Sequence, residues 1–357
     1  MSKLKYIIPI FVPHKGCPHD CIFCNQKKIT GQLGEIDDVD VIIKIKEYLK
    51  TIPAENTITE VAFYGGSFTA IPLEQQERLL SAAYKYVRTG EVEGIRISTR
   101  PDCINREILD NLKKYGVDTI ELGVQSMDME VLEASRRGHT REDVIKAAGL
   151  IHEYGFVLGL QMMVGLPGDN REISIRTAKE IIALKPQLVR IYPALVIKNT
   201  YMEELYLSGR YEPLKLDAAV EICKTLLILF ERNNINVIRI GLQPTENIIP
   251  GKDVAAGPFH PSMRQLVESM IYRDMLGYLI EINRLQEKDI EIIVNPRDVS
   301  DIIGQKKSNI RYIRDKFNMK KIRIVQWNNV ERHSIMTKFV DNERILSKKD
   351  YYDLVNI

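Results

Sequence analysis

Phe11-Val-Pro-His-Lys-Gly-Cys17-Pro-His-Asp-Cys21-Ile-Phe-Cys24-Asn-Gln-Lys27 decides how this 357-residue chain is read. Three of its five cysteines fall within eight residues, spaced Cys-x3-Cys-x2-Cys, directly after an apolar run that reads as a short buried strand over 6–12. Three thiolates on one loop hold three corners of a cubane [4Fe-4S] cluster and leave one iron open, whereas electron-transfer clusters usually take four cysteines. An open iron implies a further ligand. Cys103 and Cys223 lie far off in the chain and offer no obvious fourth thiolate. A zinc site would need four ligands, with His14 or His19 completing the set. Plain buried cysteines are the remaining alternative. A disulfide framework fits poorly, because three is odd and no secretory signal precedes the motif.

Composition bounds the rest. A length of 357 suggests about two domains, and 45% hydrophobic with 27% charged residues is ordinary for a globular chain. No apolar run approaches the ~20 residues that cross a bilayer, and Met1-Ser-Lys-Leu-Lys-Tyr6 lacks a signal-peptide core. The expectation is a cytoplasmic protein, with thiols kept reduced and no membrane partner. The net charge of +2 conceals an asymmetry: residues 288–357 carry a net +5 and the remainder −3. Basicity concentrated at the C-terminus points to a polyanionic partner there.

Working outward from the cysteines, short apolar strands over 7–12, 60–64, 94–98, 119–125, 157–164 and 188–192 alternate with amphipathic helices over 39–51, 73–89, 106–115, 141–154 and 172–184. Six strands joined by helices imply an α/β fold with a parallel sheet, either open or curled into a partial barrel. In both, chemistry belongs at the carboxyl ends of the strands. There the sequence places Gly65-Gly66-Ser67, Thr99 within Ser98-Thr-Arg-Pro-Asp102, Gln125 within Glu121-Leu-Gly-Val-Gln-Ser126, and Gln161. Arg137 follows in Arg136-Arg-Gly-His139. Polar groups at the mouths of apolar strands are costly to bury without partners, so their recurrence suggests a ligand-facing rim. Each has a plainer reading: a tight Gly-Gly turn, a surface arginine, or Met162 and Met163 as packing.

Cys17-x3-Cys21-x2-Cys24 after an N-terminal strand resembles the signature of the radical S-adenosylmethionine (SAM) enzymes. The resemblance implies a partial (β/α)6 barrel, a [4Fe-4S] cluster and SAM as cofactors. In that family SAM chelates the open iron, and one electron cleaves it to methionine and a 5′-deoxyadenosyl radical. The resemblance also implies roles for the rim. Gly65, Gly66 and Ser67 would hold the SAM amino group, although Ser67 stands where an acidic residue is common. Gln125, Thr99 and Gln161 would lie near the ribose, and Arg137 near the carboxylate, where a bidentate contact suits. With Arg137-Gly-His-Thr140, Gly165-Leu-Pro-Gly168 and the segment 189–211, residues 5–215 are similar to the radical SAM domain of the Elongator catalytic subunit, which acts on wobble uridine in tRNA. Oxygen-independent coproporphyrinogen oxidase is more distantly similar. About 145 residues follow residue 212, with no glycine-rich pyrophosphate loop, so acetyl-CoA chemistry is not carried over.

Residues 236–245 read as a further strand beside the sheet, and 249–262 as a Gly/Pro-rich loop, either a lid or a connector, before a helix over 263–283. From 290 the order is strand, helix 299–303, loop Gly304-Gln-Lys-Lys307, helix 308–317, strands 321–325 and 334–339, and helix 348–355. That order resembles a small α+β KH module, whose Gly-x-x-Gly loop clamps nucleotide backbone. Lys307 replaces the second glycine. Gly304, Lys306, Lys307, Arg311 and Arg314 are the candidate RNA contacts, against a basic but merely solvated helix. The expected division is a radical SAM domain over 1–285 and a KH-like domain over 286–357. The expected function is SAM cleavage for modification of a tRNA-like RNA, with a flavodoxin or ferredoxin as reductant and no DNA partner. A small metabolite or peptide substrate, or a non-catalytic cluster protein that binds RNA, are the alternatives.

Overall fold

Among the described residues, eight strands precede residue 245, and seven of them form one parallel sheet. They are β1 (Leu4–Val12), β2 (Thr57–Gly65), β3 (Gly94–Thr99), β4 (Val117–Gln125), β5 (Val157–Val164), β6 (Leu188–Pro193), the two-residue β7 (Val196–Ile197) and β8 (Asn236–Ile240). The computed structural model describes residues 4–12, 21–25, 36–53, 55–244, 247–339 and 342–356. The sheet order is β1-β2-β3-β4-β5-β6-β8, in chain order apart from β7, which pairs instead with β9 (Val254–Ala256). Among the described residues β1 and β8 are not paired, so the barrel is partial, as expected, and the further strand read from residue 236 joins the six as β8.

Helices Asp38–Leu49, Leu73–Arg88, Arg106–Lys114, Arg141–Glu153 and Arg171–Ala183 return the chain between strands. Four begin on short polar caps, Asp37, Asn105, Thr140 and Asn170, whose side chains accept from backbone N–H groups of the first turn. Those donors would otherwise be orphaned.

The two faces of the sheet differ. Ile8, Ile10, Val61, Phe63, Ile95, Ile97, Ile120, Leu122, Leu158, Leu160, Val189 and Ile191 alternate along the strands and are buried. They form an apolar face of the kind that helices cover. Register places Glu60, Tyr64, Arg96, Ser98, Glu121, Gly123, Gln161, Arg190 and Tyr192 on the opposite face, the barrel interior. Strands of a fully packed parallel sheet are apolar on both faces, whereas this face carries polar and charged groups that pair with one another.

The chain divides into two compact units, residues 1–215 with 235–259, and residues 216–234 with 260–357. The boundary read from sequence at 285/286 falls inside the second unit, which holds helices Leu216–Arg232 and Met263–Ile282. Its sheet runs β11-β10-β12-β13, comprising β10 (Asp289–Val294), β11 (Lys321–Gln326), β12 (Ser334–Phe339) and β13 (Asn342–Ser347). β10 and β11 are parallel, and helices Val299–Ile303 and Ser308–Phe317 supply the crossover that parallel neighbours need. β12 and β13 add antiparallel, and helix Lys348–Leu354 closes the chain. β13 was not anticipated. Among the described residues, no helix is long and apolar enough to cross a membrane.

Candidate active site and nucleic-acid interface

The cysteine motif meets the sheet at the carboxyl ends of its strands. Cys17, His14 and His19 lie outside the described residues. Cys21 and Cys24 share one tight turn, closed by a 3.0 Å bond from the Cys24 N–H to the Cys21 carbonyl. The turn is stitched down on both sides of Cys21–Phe23: Ile22 N–H donates to Ser135 O at 3.2 Å, and Met202 N–H donates to Ile22 O at 2.9 Å. Ile22 itself sits in an apolar cluster with Val131, Leu166, Ala194, Val196 and Met202, contributed by the segments after β4, β5 and β6. The sequence therefore anchors its cysteines through the isoleucine between them.

Arg137 joins this turn to β4. Its Nη1 donates to Cys21 Sγ at 3.3 Å and its Nη2 to the Gly123 carbonyl at 2.6 Å. Gly123 is the residue that permits the approach, since a Cβ there would lie 2.7 Å from Arg137 Nη2 and 3.0 Å from Gln125 Nε2. Arg100, fully buried at the exit of β3, donates Nη2 to the Arg137 carbonyl at 2.7 Å and is held by Asp102.

Beyond Gly123 the β4–β5 ladder is interrupted, with Gly123 paired to Gln161 and Gln125 paired to Met162. Gln125 takes φ +67°, and the Val124 carbonyl accepts from Ser126 N–H at 2.9 Å. This is a γ-turn centred on Gln125, in the positive-φ form that is rare and strained. Strain of that kind gathers at ligand sites. It brings the Gln125 and Gln161 side chains together, with Gln161 Nε2 donating to Gln125 Oε1 at 2.8 Å. Cys21, Arg137, Gln125 and Gln161 are thus one connected constellation.

The other candidates stand apart from that constellation in their bonding. Gly66 N–H donates to Val12 O at 3.1 Å, pinning the turn after β2 to the end of β1, and Ser67 is buried. The Thr99 hydroxyl is engaged with Thr69 Oγ1 at 2.7 Å, and Thr69 Oγ1 donates to Cys103 O at 2.7 Å. Thr99 therefore steadies the segment after β2 through its hydroxyl. Cys223 is wholly buried in its helix, and burial pushes its thiol up to about 12.

Below the constellation, the barrel interior carries a chain of charges missed in the sequence. Lys5 Nζ lies 2.5 Å from Glu60 Oε1, and Arg96 Nε lies 2.8 Å from Glu60 Oε2, an ion pair without good hydrogen-bond alignment. Arg96 Nη1 reaches Glu121 Oε1 at 3.2 Å. Arg190 Nε pairs with Glu121 Oε2, while its Nη2 donates to Tyr64 OH at 2.9 Å and its Nη1 to Tyr192 OH at 3.3 Å. Burial alone would lower the pKa of Arg190, but Tyr192, Glu121 and Tyr64 more than offset it, so the guanidinium stays charged. Burial raises Tyr64, and the Glu121 carboxylate raises it further. The available signal was alternation: Arg96-Ile-Ser98, Glu121-Leu-Gly-Val-Gln125 and Arg190-Ile-Tyr192 repeat polar residues at a period of two inside apolar strands.

In the second unit, Gly304 has φ +75° and ψ 163°, a region essentially restricted to glycine. A Cβ there would meet Ser308 Oγ at 2.5 Å and Asn309 N at 3.0 Å. Lys306 (φ +50°, ψ 33°) and Lys307 (φ +62°, ψ 30°) are both left-handed, and Lys307 N–H closes onto Gly304 O at 3.0 Å. Lys306, Lys307, Arg311 and Arg314 are exposed, and among the described residues none has an ion-pair partner. Asn309 fixes the base of the turn, donating Nδ2 to Ser269 O at 2.7 Å and to Ile302 O at 3.2 Å. The structure gathers the proposed RNA-contact residues on and just after one hydrogen-bonded turn.

Residues 11–181 match the radical SAM superfamily model, residues 186–273 its C-terminal domain model and residues 289–346 the KH domain model. The chain belongs to the radical SAM superfamily, whose cofactors are a [4Fe-4S] cluster and SAM. An uncharacterised protein of Methanocaldococcus jannaschii is 36% identical over 213 residues, covering 56% of this chain and 64% of that protein. The tRNA uridine(34) acetyltransferase of the same organism is 31% identical over 255 residues, 60% of this chain and 47% of the relative. Elongator complex protein 3 of Homo sapiens is 31% identical over 241 residues, 62% and 43% respectively. The chain thus spans roughly half the length of these named relatives. The solved Elp3 of Methanocaldococcus infernus shares the fold, with a TM-score of 0.62 at 24% identity over 77% of this chain and 64% of that one.

The cofactors can be tested against the residues present. A cubane cluster takes cysteine sulfur as ligand, and Cys21 Sγ stands at the strand mouths beside the buried Arg137 guanidinium. Among the described residues, Arg137 Nε is buried without a hydrogen-bond partner, as are Ser135 Oγ and His139 Nδ1. Such groups are costly unless something completes them. A cluster and a polar ligand beside Cys21 fit these residues.

Proposed function

We propose that this chain is a radical SAM enzyme that modifies RNA of the tRNA type. The observation that carries the catalytic half is Arg137, which spans from Cys21 Sγ to Gly123 O beside the Gln125–Gln161 pair. When bound, the cluster and SAM supply a 5′-deoxyadenosyl radical at the open iron. In this reading the chain's own residues bind and orient. Cys17, Cys21 and Cys24 hold three irons, and Arg137 faces the SAM carboxylate. Gln125 and Gln161 face the ribose, with Thr99 nearby, and the turn at Gly65, Gly66 and Ser67 takes the amino group. Ile22 and its apolar cluster exclude water from one side of the cysteine turn.

RNA is favoured by three supports: the KH match over residues 289–346, the exposed cations Lys306, Lys307, Arg311 and Arg314 on the Gly304–Lys307 turn and its helix, and relatives named as tRNA-modifying proteins. Lys306, Lys307, Arg311 and Arg314 would contact phosphates, with Gly304 allowing the close turn. A flavodoxin or ferredoxin would deliver the electron in the cytoplasm.

The test is anaerobic. Reconstituted, reduced protein is incubated with SAM, with and without tRNA, and deoxyadenosine is measured. Release of deoxyadenosine is expected from the parent. Arg137→Ala should weaken SAM binding about 10- to 150-fold, the loss of a charged hydrogen bond, with the cluster spectrum retained. No release from a protein with a full complement of iron would reject the catalytic reading. Release without any measurable binding of tRNA would reject RNA and favour a small-molecule substrate.

A further inference from the structure

His139 is the buried group that the proposed site does not yet use. It is 2% exposed, and its Nε2 lies 3.1 Å from the Val124 carbonyl. A carbonyl only accepts, so Nε2 carries the proton and donates. Burial first, then the neighbouring Arg137 and Arg100 charges, push its pKa down to about 3. The ring is neutral at any working pH, and the tautomer is fixed by that one bond.

The carbonyl it grips belongs to the residue that the β4–β5 ladder skips. Gly123 pairs with Gln161 and Gln125 with Met162, leaving Val124 between them. The Val124 carbonyl accepts from two donors, Ser126 N–H at 2.9 Å and His139 Nε2 at 3.1 Å. The first bond defines the strained turn that sets Gln125 at φ +67°. A turn of that kind relaxes toward ordinary strand geometry unless its surroundings over-determine it. One residue earlier, the Gly123 carbonyl is held by Arg137 Nη2 at 2.6 Å. Two consecutive carbonyls at the mouth of β4 are therefore held by two side chains of one Arg-Gly-His tripeptide. Gly138, with φ +77°, lies between them.

We propose that His139 is a positioning residue for SAM, holding the Val124 carbonyl so that the strained turn presents Gln125 toward Gln161. The proposal rests on the assignment of Gln125 to SAM made above. His139 acts through the backbone and touches neither iron nor SAM.

The experiment uses the reconstituted holoprotein and SAM itself, with affinity measured by anaerobic equilibrium dialysis and cluster content by iron analysis and visible absorption. His139→Leu removes the donor, and SAM affinity should fall about 10-fold, the scale of one hydrogen bond. Cluster content should stay at the parental level. His139→Gln puts an amide N–H near the place of Nε2 and should restore affinity to within about 3-fold of the parent. His139→Asn, whose amide falls short, should not. Restoration by the longer amide alone is an outcome that a purely space-filling role would not give. Because His139 acts through Gln125, the double variant His139→Leu/Gln125→Ala should bind SAM no worse than Gln125→Ala alone.

The assignment of Gln125 and the role of His139 fail on different outcomes. Unchanged SAM affinity in Gln125→Ala would remove the underlying assignment and this proposal with it. Weakened binding in Gln125→Ala with full affinity in both His139→Leu and His139→Asn would overturn only the role of His139. Additive losses in the double variant would also overturn it. Should His139→Leu fail to fold, the contrast between His139→Gln and His139→Asn decides alone, and equal affinities in that pair would count against the proposal.

Discussion

Replacing Lys307 with glycine should make the second unit more stable and its grip on RNA weaker. Lys307 sits at φ +62°, next to Lys306 at φ +50°, and a left-handed L-residue costs roughly 1–2 kcal/mol relative to glycine. Glycine gives back about 0.5–1 kcal/mol in unfolded-state entropy. No ion pair is lost, because among the described residues the Lys307 ammonium has none. The net expectation is a gain of about 0.5–1 kcal/mol. Lys307→Ala serves as the comparison, since it removes the same charge and keeps the strain. Urea unfolding of both variants, with the slope unchanged, should place the glycine variant above the alanine variant by about 1 kcal/mol. For RNA, both lose one phosphate contact. The slope of log affinity against log salt should drop by about 0.7 for a single-stranded site. A glycine variant no more stable than the alanine variant would refute the strain argument. An unchanged salt slope in both would refute the phosphate contact.

Three further outcomes test other parts of the account. Alanine at Cys17, Cys21 or Cys24 should abolish the cluster's iron and its absorption, whereas alanine at Cys103 or Cys223 should leave about four irons per chain; loss of iron from either distant variant would overturn the ligand set. Glu121→Ala removes the carboxylate that the partly buried Arg190 pairs with and leaves Arg96 its pair with Glu60, and should cost about 3–5 kcal/mol in denaturant unfolding, so a loss under 1 kcal/mol would show that water already screens this network. Glu268 is raised by burial but lowered more by Lys348, at 2.7 Å, and by Arg264, so its folded pKa lies below the ordinary value. A depressed carboxyl adds stability that is complete above its unfolded pKa of about 4.3 and is lost as pH falls through the folded pKa. The stability gap between parent and Glu268→Gln should therefore hold at neutral pH and close on acidification; a gap that widened in acid would contradict the sign.

What could be read from the sequence follows the strength of local signals. Strands 157–164 and 94–98 lie within a residue of their observed ends, because short apolar segments bounded by Gly155 and Gly165 in one case, and by Gly94 and Arg100-Pro101 in the other, leave little freedom. The cysteine spacing identified its own chemistry, since few functions demand three thiolates in eight residues. β13 escaped because Asn-Glu-Arg-Ile-Leu-Ser is rich in charge and binds at a sheet edge, where one face meets water. The helices Leu216–Arg232 and Met263–Ile282 were read with the barrel domain as extension helices, while the compact unit that holds them also holds the C-terminal sheet. Helical periodicity says which face is buried and not against what. Gln125 was legible as a polar strand end. The strained turn beneath it was not, because positive φ on a glutamine leaves no composition mark. His139 was read only as part of a motif for the same reason: its role depends on a backbone bulge on another element. The interior ion chain was visible as alternation in principle, but each charge looked isolated until the register set Glu121 between Arg96 and Arg190.

The central claim is that the radical site serves RNA. Its most direct test is mass spectrometry of nucleosides from tRNA of cells with and without the gene, repeated with Cys21→Ala restored in place of the parent. The account predicts that one modified nucleoside disappears or reverts to a lighter precursor on deletion, returns with the parent and stays lost with Cys21→Ala. Identical nucleoside profiles in all these cells would contradict it.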